Sequence, residues 1–177
     1  GKRAGAWNNS VQGQWMQGGK DIRPHVVNVC NFSKPTDTKP SLLTFYEVTT
    51  LFHEFGHALH SMMAAGKYAS LSGTSVAWDF VELPSQIMEN FAEQPEVLRM
   101  FARHYQTGEV IPQELIDKLR ASANFMSGTG TMRQLGLGMI DMTYHSTKPT
   151  GESVAEIERK ADVAAKLYPK TEGTATS

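Results

Sequence analysis

The hydrophobic pattern is clearest in one predicted helix, residues 45–65. Thr44 and Glu47, three residues apart, form the signature of a capping box at its start, and Gly66 is typical of the position just past a helix end. Apolar residues occupy much of its circumference: Val48, Leu51, Phe52, Phe55, Ala58, Leu59 and Met62. A helix that is apolar around most of its surface is expected to be buried.

The remaining pattern predicts a chain that is mainly α with a small β element (α+β). Residues 25–32 (HVVNVCNF) alternate and are rich in valine, which predicts an edge strand, whereas residues 1–22 are predicted to be loop. Asp79 is predicted to cap a second helix, with Glu82 in the capping-box position and Pro84 in its first turns. The predicted organisation is loops and a strand (1–43), the first helix with its flanking residues (44–66), the second helix (79–94) and a helical support (95–177). The support is predicted to contain helices at 95–108, 112–123, 127–146 and 152–167.

Composition and charge narrow the class of protein. The 177 residues allow one domain or one piece of a larger one, and 40% hydrophobic with 20% charged residues is ordinary for a globular chain. The 17 Lys and Arg against 18 Asp and Glu give a formal charge of -1 with no basic stripe, so we expect no nucleic-acid partner. No run of 18 apolar residues occurs, so we expect no transmembrane helix and no membrane partner.

The single cysteine and the chain ends bear on compartment and completeness. Cys30 cannot form an internal disulfide and lies in an apolar run, where we interpret it as a buried structural thiol. The start, GKRAGAWNNS, has no signal-peptide core, and we expect a cytoplasmic protein, with the periplasm as the alternative. Because the chain begins without methionine and ends in small polar residues (YPKTEGTATS), typical of a loop, we expect a segment of a longer protein.

Five residues of the first helix form an HExxH motif: His53, Glu54, Phe55, Gly56 and His57. Residues i and i+4 lie about 40° apart around a helix and one turn apart along it, so both imidazoles can approach one ion at about 2.0–2.1 Å. Glu54 lies beside His53 and can reach a water molecule next to that ion, and Gly56 leaves space for another segment. Two core histidines are the alternative interpretation, which is disfavoured because a helix is predicted here independently.

A zinc ion, the metal that these ligands favour, needs a third protein ligand. His60 lies on the same face but about 10 Å of rise from His53, so we interpret it as a packed histidine or a neighbour of the ligands. Glu82, 25 residues after His57, is the stronger candidate, and Glu89, two turns further on, is the alternative. A purely capping role for Glu82 is the competing interpretation. The residues expected to orient the imidazoles are Asp79, Gln86 and Glu89.

Longer stretches around the motif resemble a known family. FHEFGHALH followed by SGTSVAWDFVELPSQIMEN closely resembles the thimet oligopeptidase/dipeptidyl carboxypeptidase family of zinc peptidases, whose pattern is HEFGH, then SGT, then DFVE-x-PSQ. The segments GKRAGAW, VVNVCNFSKP and RHYQTGE look most like its bacterial peptidyl-dipeptidase branch, and the resemblance covers nearly the whole chain. It implies a gluzincin site with one zinc ion per chain, Glu54 as general base, and three metal ligands: His53, His57 and Glu82.

The resemblance also implies a fold and a reaction. Family members are several times longer, with two helical lobes around a deep channel, so this chain would be a segment of the zincin-like catalytic lobe. The implied function is a metallopeptidase that hydrolyses short peptides and releases C-terminal dipeptides in the full-length enzyme. The implied partners are short peptides and the remainder of that peptidase. An extended peptide is expected to pair with the strand at 25–32, with a purely structural strand as the alternative.

One departure from the family leaves alternatives open. The family's His- and Tyr-bearing loop has no match in Tyr144, His145 or Tyr168, and losing an oxyanion donor costs about 10²–10³ in rate. The segment could therefore be a catalytically weak zinc-binding fragment. A non-catalytic metal-binding domain is a second alternative, although a structural zinc site has no use for Glu54 and usually has four ligands; a metal-free scaffold is the third. Apolar surface exposed by excision would favour self-association.

Overall fold

Four short strands form two antiparallel pairs near the start of the computed structural model, which describes residues 4–169. The strands are β1 (Trp7–Gln12), β2 (Trp15–Gln17), β3 (Lys20–Ile22) and β4 (His25–Val29). β1 pairs with β4, and β2 pairs with β3. Gly18 and Gly19 join β2 to β3 with φ angles of 56° and 80°, a two-residue turn in which both positions favour glycine.

Three of these strands lie in residues 1–22, so the prediction of loop for that segment is wrong. β1 has the sequence WNNSVQ, whose polar residues hide any hydrophobic alternation. It is a strand because β4 supplies its backbone partners, with Trp7 opposite Val29 and Ser10 opposite Val26. β4 confirms the predicted strand at 25–32 but ends three residues earlier, at Val29.

Seven α-helices follow the strands within residues 4–169. They are α1 (Phe45–Met62), α2 (Trp78–Val81), α3 (Leu83–Ala92), α4 (Pro95–Phe101), α5 (Gln113–Ser122), α6 (Ser127–Ser146) and α7 (Val154–Ala161). The capping box before α1 is confirmed, because the Thr44 hydroxyl accepts the Glu47 N–H at 3.2 Å and the Glu47 carboxylate accepts the Thr44 N–H at 2.7 Å. Helices 112–123 and 127–146 are confirmed as α5 and α6.

The helix predicted at 79–94 is instead two helices. Ala77, not Asp79, precedes the first turn of α2, and Asp79 lies inside that turn, so the predicted Asp79 cap is wrong. Pro84 has no N–H to bond the Phe80 carbonyl, and its ring crowds that carbonyl. The helix is therefore interrupted at Glu82, which lies between α2 and α3.

Two further helices are shorter than predicted. α4 ends at Phe101, and Arg103 pairs with Val110 in an isolated antiparallel bridge, so the prediction of helix to Gly108 is wrong. α7 covers Val154–Ala161 of the predicted 152–167. The predicted C-terminal loop lies outside the described residues from position 170 on.

Among the described residues α1 is covered on two sides only, so the prediction that it is buried is wrong in this chain. It contacts α3 and the β1–β4 pair. Its buried residues are Glu54, Gly56, Ala58 and Ser61. The apolar side chains of Leu51, Phe55 and Met62 are 38%, 44% and 39% exposed. The covered sides are those that hold the charged and small residues of the motif.

The chain divides into two units, Gly1–Ile116 and Asp117–Ser177, each with a small core. Buried apolar residues of the first unit are Ala58, Ala92, Leu98 and Ile116. In the second unit α6 contacts α7, and the buried apolar residues are Ile140 and Ala165. Within residues 4–169, no helix has both the length and the apolar character needed to cross a membrane.

Candidate metal centre

α1 presents two histidines and a glutamate next to one another. The ring centroids of His53 and His57 lie 5.0 Å apart, with the ring planes at 83°. Both rings are largely buried, since the side chains are 26% and 12% exposed. Glu54 is 6% exposed. One helical turn therefore supplies two largely buried imidazoles and a buried carboxylate.

Gly56 lets the second segment approach this turn. A Cβ atom at position 56 would lie 2.5 Å from the Ser85 Cα and 2.6 Å from the Pro84 carbonyl oxygen. Any side chain there would push α3 away from α1. With glycine, the first turn of α3 lies against α1 and Glu82 reaches the histidines, its Oε2 lying 3.2 Å from Nε2 of both His53 and His57.

These three side chains are spaced as a divalent ion requires. Their ligand atoms all lie within 4.8 Å of one another. Two ligands at about 2.0–2.1 Å from a tetrahedral zinc ion lie about 3.3 Å apart, close to the 3.2 Å between Glu82 Oε2 and each imidazole nitrogen. The spacing of the carboxylate from the two rings therefore fits zinc.

The chemistry of the donors also fits a cation. His53 Nδ1 lies 2.6 Å from Glu89 Oε1, so the ring proton belongs on Nδ1 and the lone pair on Nε2. That lone pair points at the Glu82 carboxylate, an acceptor without a proton of its own. A cation bound between these atoms would pair with the lone pair and with the carboxylate at once. His57 Nδ1 is buried and has no hydrogen-bond partner among residues 4–169.

Glu82 is held in its charged form. The Ser85 hydroxyl donates to Glu82 Oε2 at 2.7 Å and lowers the pKa of that carboxyl below its ordinary value. Partial burial opposes this shift, while His57 and His53 add to it. A metal ligand must be deprotonated, so this environment favours the state of Glu82 that binds an ion.

The three candidate ligands and Glu54 line one cavity of about 470 Å³. Its other walls come from three segments: Ala6, Trp7 and Asn8 before and within β1, Thr74 in the loop before α2, and Val81 at the end of α2. No residue of β4 lines it. Glu54 is thus near enough to the ligands to act on a molecule bound in the same cavity.

The other residues predicted from the sequence lie apart from this group. His60 packs edge-on against Phe80, with the ring centroids 6.1 Å apart, and burial lowers its pKa. It is a packed histidine outside the group of three. Asp79 and Gln86 are exposed, and among the described residues neither forms a hydrogen bond to an imidazole. Of the three side chains expected to orient the rings, Glu89 alone makes that contact.

The sequence pattern did not predict that Ser85 and the residues of the β1 segment contribute to this site. Ser85 lies three residues after Glu82, a spacing that places side chains on one face of a helix and could have indicated the contact. Ala6, Trp7 and Asn8 have no local signal, because their place in the cavity depends on the pairing of β1 with β4.

Comparison with known proteins shows which family this chain resembles. The model of peptidase family M3 matches residues 1–176. Dipeptidyl carboxypeptidase of Salmonella typhimurium strain LT2 is 42% identical over 169 residues, which are 94% of this chain and 24% of that protein. Oligopeptidase A of Escherichia coli strain K12 is 42% identical over 164 residues, which are 92% of this chain and 24% of that protein. The organellar oligopeptidase A of Arabidopsis thaliana is 39% identical over 175 residues, which are 95% of this chain and 22% of that protein.

The match confirms the family resemblance of the sequence. The chain spans about a quarter of the length of the curated relatives it matches. Dipeptidyl carboxypeptidase and oligopeptidase A are equally similar to it, at 42% identity. Since the family model covers nearly all residues, including the HExxH turn and the segment that carries Glu82, the chain belongs to peptidase family M3.

Proposed function

We propose that this chain carries the zinc site and general base of a metallopeptidase that hydrolyses peptide bonds in short peptides. One observation carries the proposal: the ligand atoms of His53, His57 and Glu82 converge within 4.8 Å in a cavity that Glu54 also lines. Membership of peptidase family M3 supports the reaction class.

In this proposal the three converging side chains hold one zinc ion per chain. Zinc bound there would act as a Lewis acid, able to polarise a peptide carbonyl and to lower the pKa of a water molecule towards neutrality. Glu89 holds the His53 ring with its Nε2 towards the ion, through the 2.6 Å contact to Nδ1. Asp79 and Gln86 take no part in this arrangement.

Glu54 is the proposed general base. Its carboxylate accepts the proton of the attacking water and then delivers it to the leaving amine. Its burial, at 6% exposure, limits competing contact with bulk water. A site that held zinc only for structure would have no use for such a carboxylate and would usually have a fourth protein ligand.

We propose that the peptide lies along β1 rather than along β4. β1 pairs with β4 on one edge, and among the described residues its other edge has no partner strand. Ala6, Trp7 and Asn8 face the cavity that contains Glu54. An extended peptide hydrogen-bonded to this edge would bring a carbonyl to the ligands, a common mode of peptide binding.

The finer proposal is release of C-terminal dipeptides by the full-length enzyme. It is supported by 42% identity to a dipeptidyl carboxypeptidase, while the equally similar oligopeptidase A favours broader action on peptides. The chain spans about a quarter of those relatives. A fragment that binds zinc but hydrolyses peptides weakly is therefore the second candidate.

Zinc stoichiometry and peptide hydrolysis test the proposal together. We expect one zinc ion per chain in the wild type, and loss or strong weakening of zinc binding in Glu82→Ala. We expect hydrolysis of a quenched short peptide by the wild type, and its loss in Glu54→Gln with zinc retained. Zinc without hydrolysis in the wild type would favour the weak fragment, and full zinc retention in Glu82→Ala would refute the ligand set.

A further inference from the structure

Ser85 is the most deeply buried polar side chain in contact with the metal centre. It is 0% exposed. Its hydroxyl lies 2.7 Å from Glu82 Oε2 and 2.9 Å from the Glu82 backbone oxygen. A hydroxyl has one hydrogen, and the carboxylate is the stronger acceptor because it is charged. The hydrogen is therefore directed at the oxygen that faces both imidazoles.

The position of Ser85 is set by the contact between α1 and α3. The Ser85 Cα lies only 2.5 Å from the position that a Cβ of residue 56 would occupy. Ser85 is therefore fixed against the helix that carries both histidines. Glu82 is different, since its side chain is 48% exposed and would lose conformational freedom when fixed at one place.

We propose that Ser85 is a positioning residue that holds the Glu82 carboxylate between His53 and His57 before an ion binds. This inference rests on the proposed metal site. A ligand already in place loses less freedom when the ion arrives, so the hydroxyl increases metal affinity through Glu82. It does not touch the substrate or the ion.

Zinc affinity of the 177-residue chain, measured by competition with a chromogenic chelator, tests this role. We expect Ser85→Ala to bind zinc about 10–100 times more weakly than the wild type, the usual effect of removing an outer-shell partner. Ser61→Ala is the matched control, because Ser61 is also buried, at 4% exposure, and its hydroxyl has no partner among the described residues. We expect wild-type affinity for that control.

A second pair of variants separates this role from general support of the fold. In the Glu82→Ala background, Ser85→Ala should cause no further loss of zinc affinity, because Ser85 acts through the missing carboxylate. An equal loss in both backgrounds would overturn the inference. So would wild-type affinity in Ser85→Ala, an equal loss in Ser61→Ala, or loss of the helical circular dichroism of metal-free Ser85→Ala.

The outcomes also distinguish the inference from the proposed function. A wild-type chain that binds no zinc would refute the metal site and the role of Ser85 with it. A wild-type chain that binds zinc as tightly as Ser85→Ala would leave the metal site standing and overturn the role of Ser85 alone.

Discussion

At the residue scale, Gly56 is in close contact with the segment that carries Glu82. We expect Gly56→Ala to lower the free energy of unfolding by about 1–3 kcal/mol, the usual cost of overpacking. The reason is that the new Cβ would lie 2.5 Å from the Ser85 Cα and 2.6 Å from the Pro84 oxygen. Urea denaturation of the metal-free protein measures this change. We also expect weaker zinc binding, because α3 must move away from α1 and carries Glu82 with it.

Gly66→Ala is the control for this substitution. At position 66 a Cβ would meet its nearest neighbour at 3.6 Å, an ordinary contact. We expect the free energy of unfolding of Gly66→Ala to stay within about 0.5 kcal/mol of the wild type. Equal destabilisation by both variants would show that the close approach at Gly56 is not the cause.

A second residue-scale prediction concerns the carboxylate that orients His53. We expect Glu89→Gln to weaken zinc binding about 10–100 times, because the 2.6 Å contact to Nδ1 loses its charge. Chelator competition measures the affinity. Asp79→Asn is the control, since Asp79 is exposed and bonds neither imidazole. A larger loss in Asp79→Asn than in Glu89→Gln would show that the wrong carboxylate has been assigned.

The contrast between these two acids shows what the sequence could predict about the site. His53, Glu54 and His57 follow from spacing alone, because i and i+4 are neighbours on any helix. Spacing alone could not decide which of Asp79 and Glu89 contacts an imidazole. Their directions depend on the break that Pro84 introduces at Glu82, and His53 meets Glu89 across 36 residues of chain.

At the element scale, a buried glutamine joins the β2–β3 hairpin to the end of α1. Gln14 is 1% exposed. Its side chain bonds both the N–H and the carbonyl of Gly66, at 2.8 and 3.0 Å, and also contacts Ser72 at 2.6 Å and Asp21 at 2.8 Å. Each side-chain amide atom therefore has two partners, and the segment after the HExxH helix is fixed at this point.

We expect Gln14→Ala to lower the free energy of unfolding by about 2–4 kcal/mol, since it leaves several polar groups without partners. Urea denaturation measures the change. Gln17→Ala in β2 is the control, because Gln17 is exposed, and it should stay within about 0.5 kcal/mol of the wild type. A change below 1 kcal/mol in Gln14→Ala would mean that water or relaxation replaces the lost bonds.

Elements with local signals could be predicted, and those that depend on distant pairing could not. The start of α1 follows from Thr44 and Glu47, which bond each other within one turn. β1 has no such local signal, because its backbone partner is β4 and its side chains are mostly polar. The same reason explains why the wall of the cavity formed by Ala6, Trp7 and Asn8 was not predicted.

At the scale of the whole molecule, large apolar side chains are exposed in the first unit. Trp78, Met63 and Leu71 are 93%, 76% and 71% exposed. We expect the chain to self-associate, because water disfavours such surface. Light scattering should give a mass that rises above 19.5 kDa with concentration. Met63→Glu with Leu71→Glu should reduce this rise, and the exposed polar pair Lys118→Glu and Lys148→Glu provides the control. A constant monomer mass would refute the prediction.

Zinc is expected to stabilise one of the two units and leave the other unchanged. All three proposed ligands lie in the unit Gly1–Ile116, and no other group of potential ligands was found among residues 4–169. Binding to the native state alone adds about 2.7 kcal/mol when free zinc is 100 times the dissociation constant. Because the proposed ligands come from α1 and from the α2–α3 junction, a bound ion would also cross-link two elements that are separate in the unfolded chain.

Hydrogen exchange followed by mass spectrometry, with zinc or with a chelator, measures this difference along the chain. We expect slower exchange with zinc in peptides from α1 and α3, and unchanged exchange in peptides from α6 and α7. Glu82→Ala should greatly weaken the zinc effect in the first unit at the same zinc concentration. Equal protection of both units in the wild type would mean that they unfold together, and protection confined to the second would refute the proposed site. Protection of α1 and α3 alone would show that metal binding and the fold of the first unit are one coupled equilibrium.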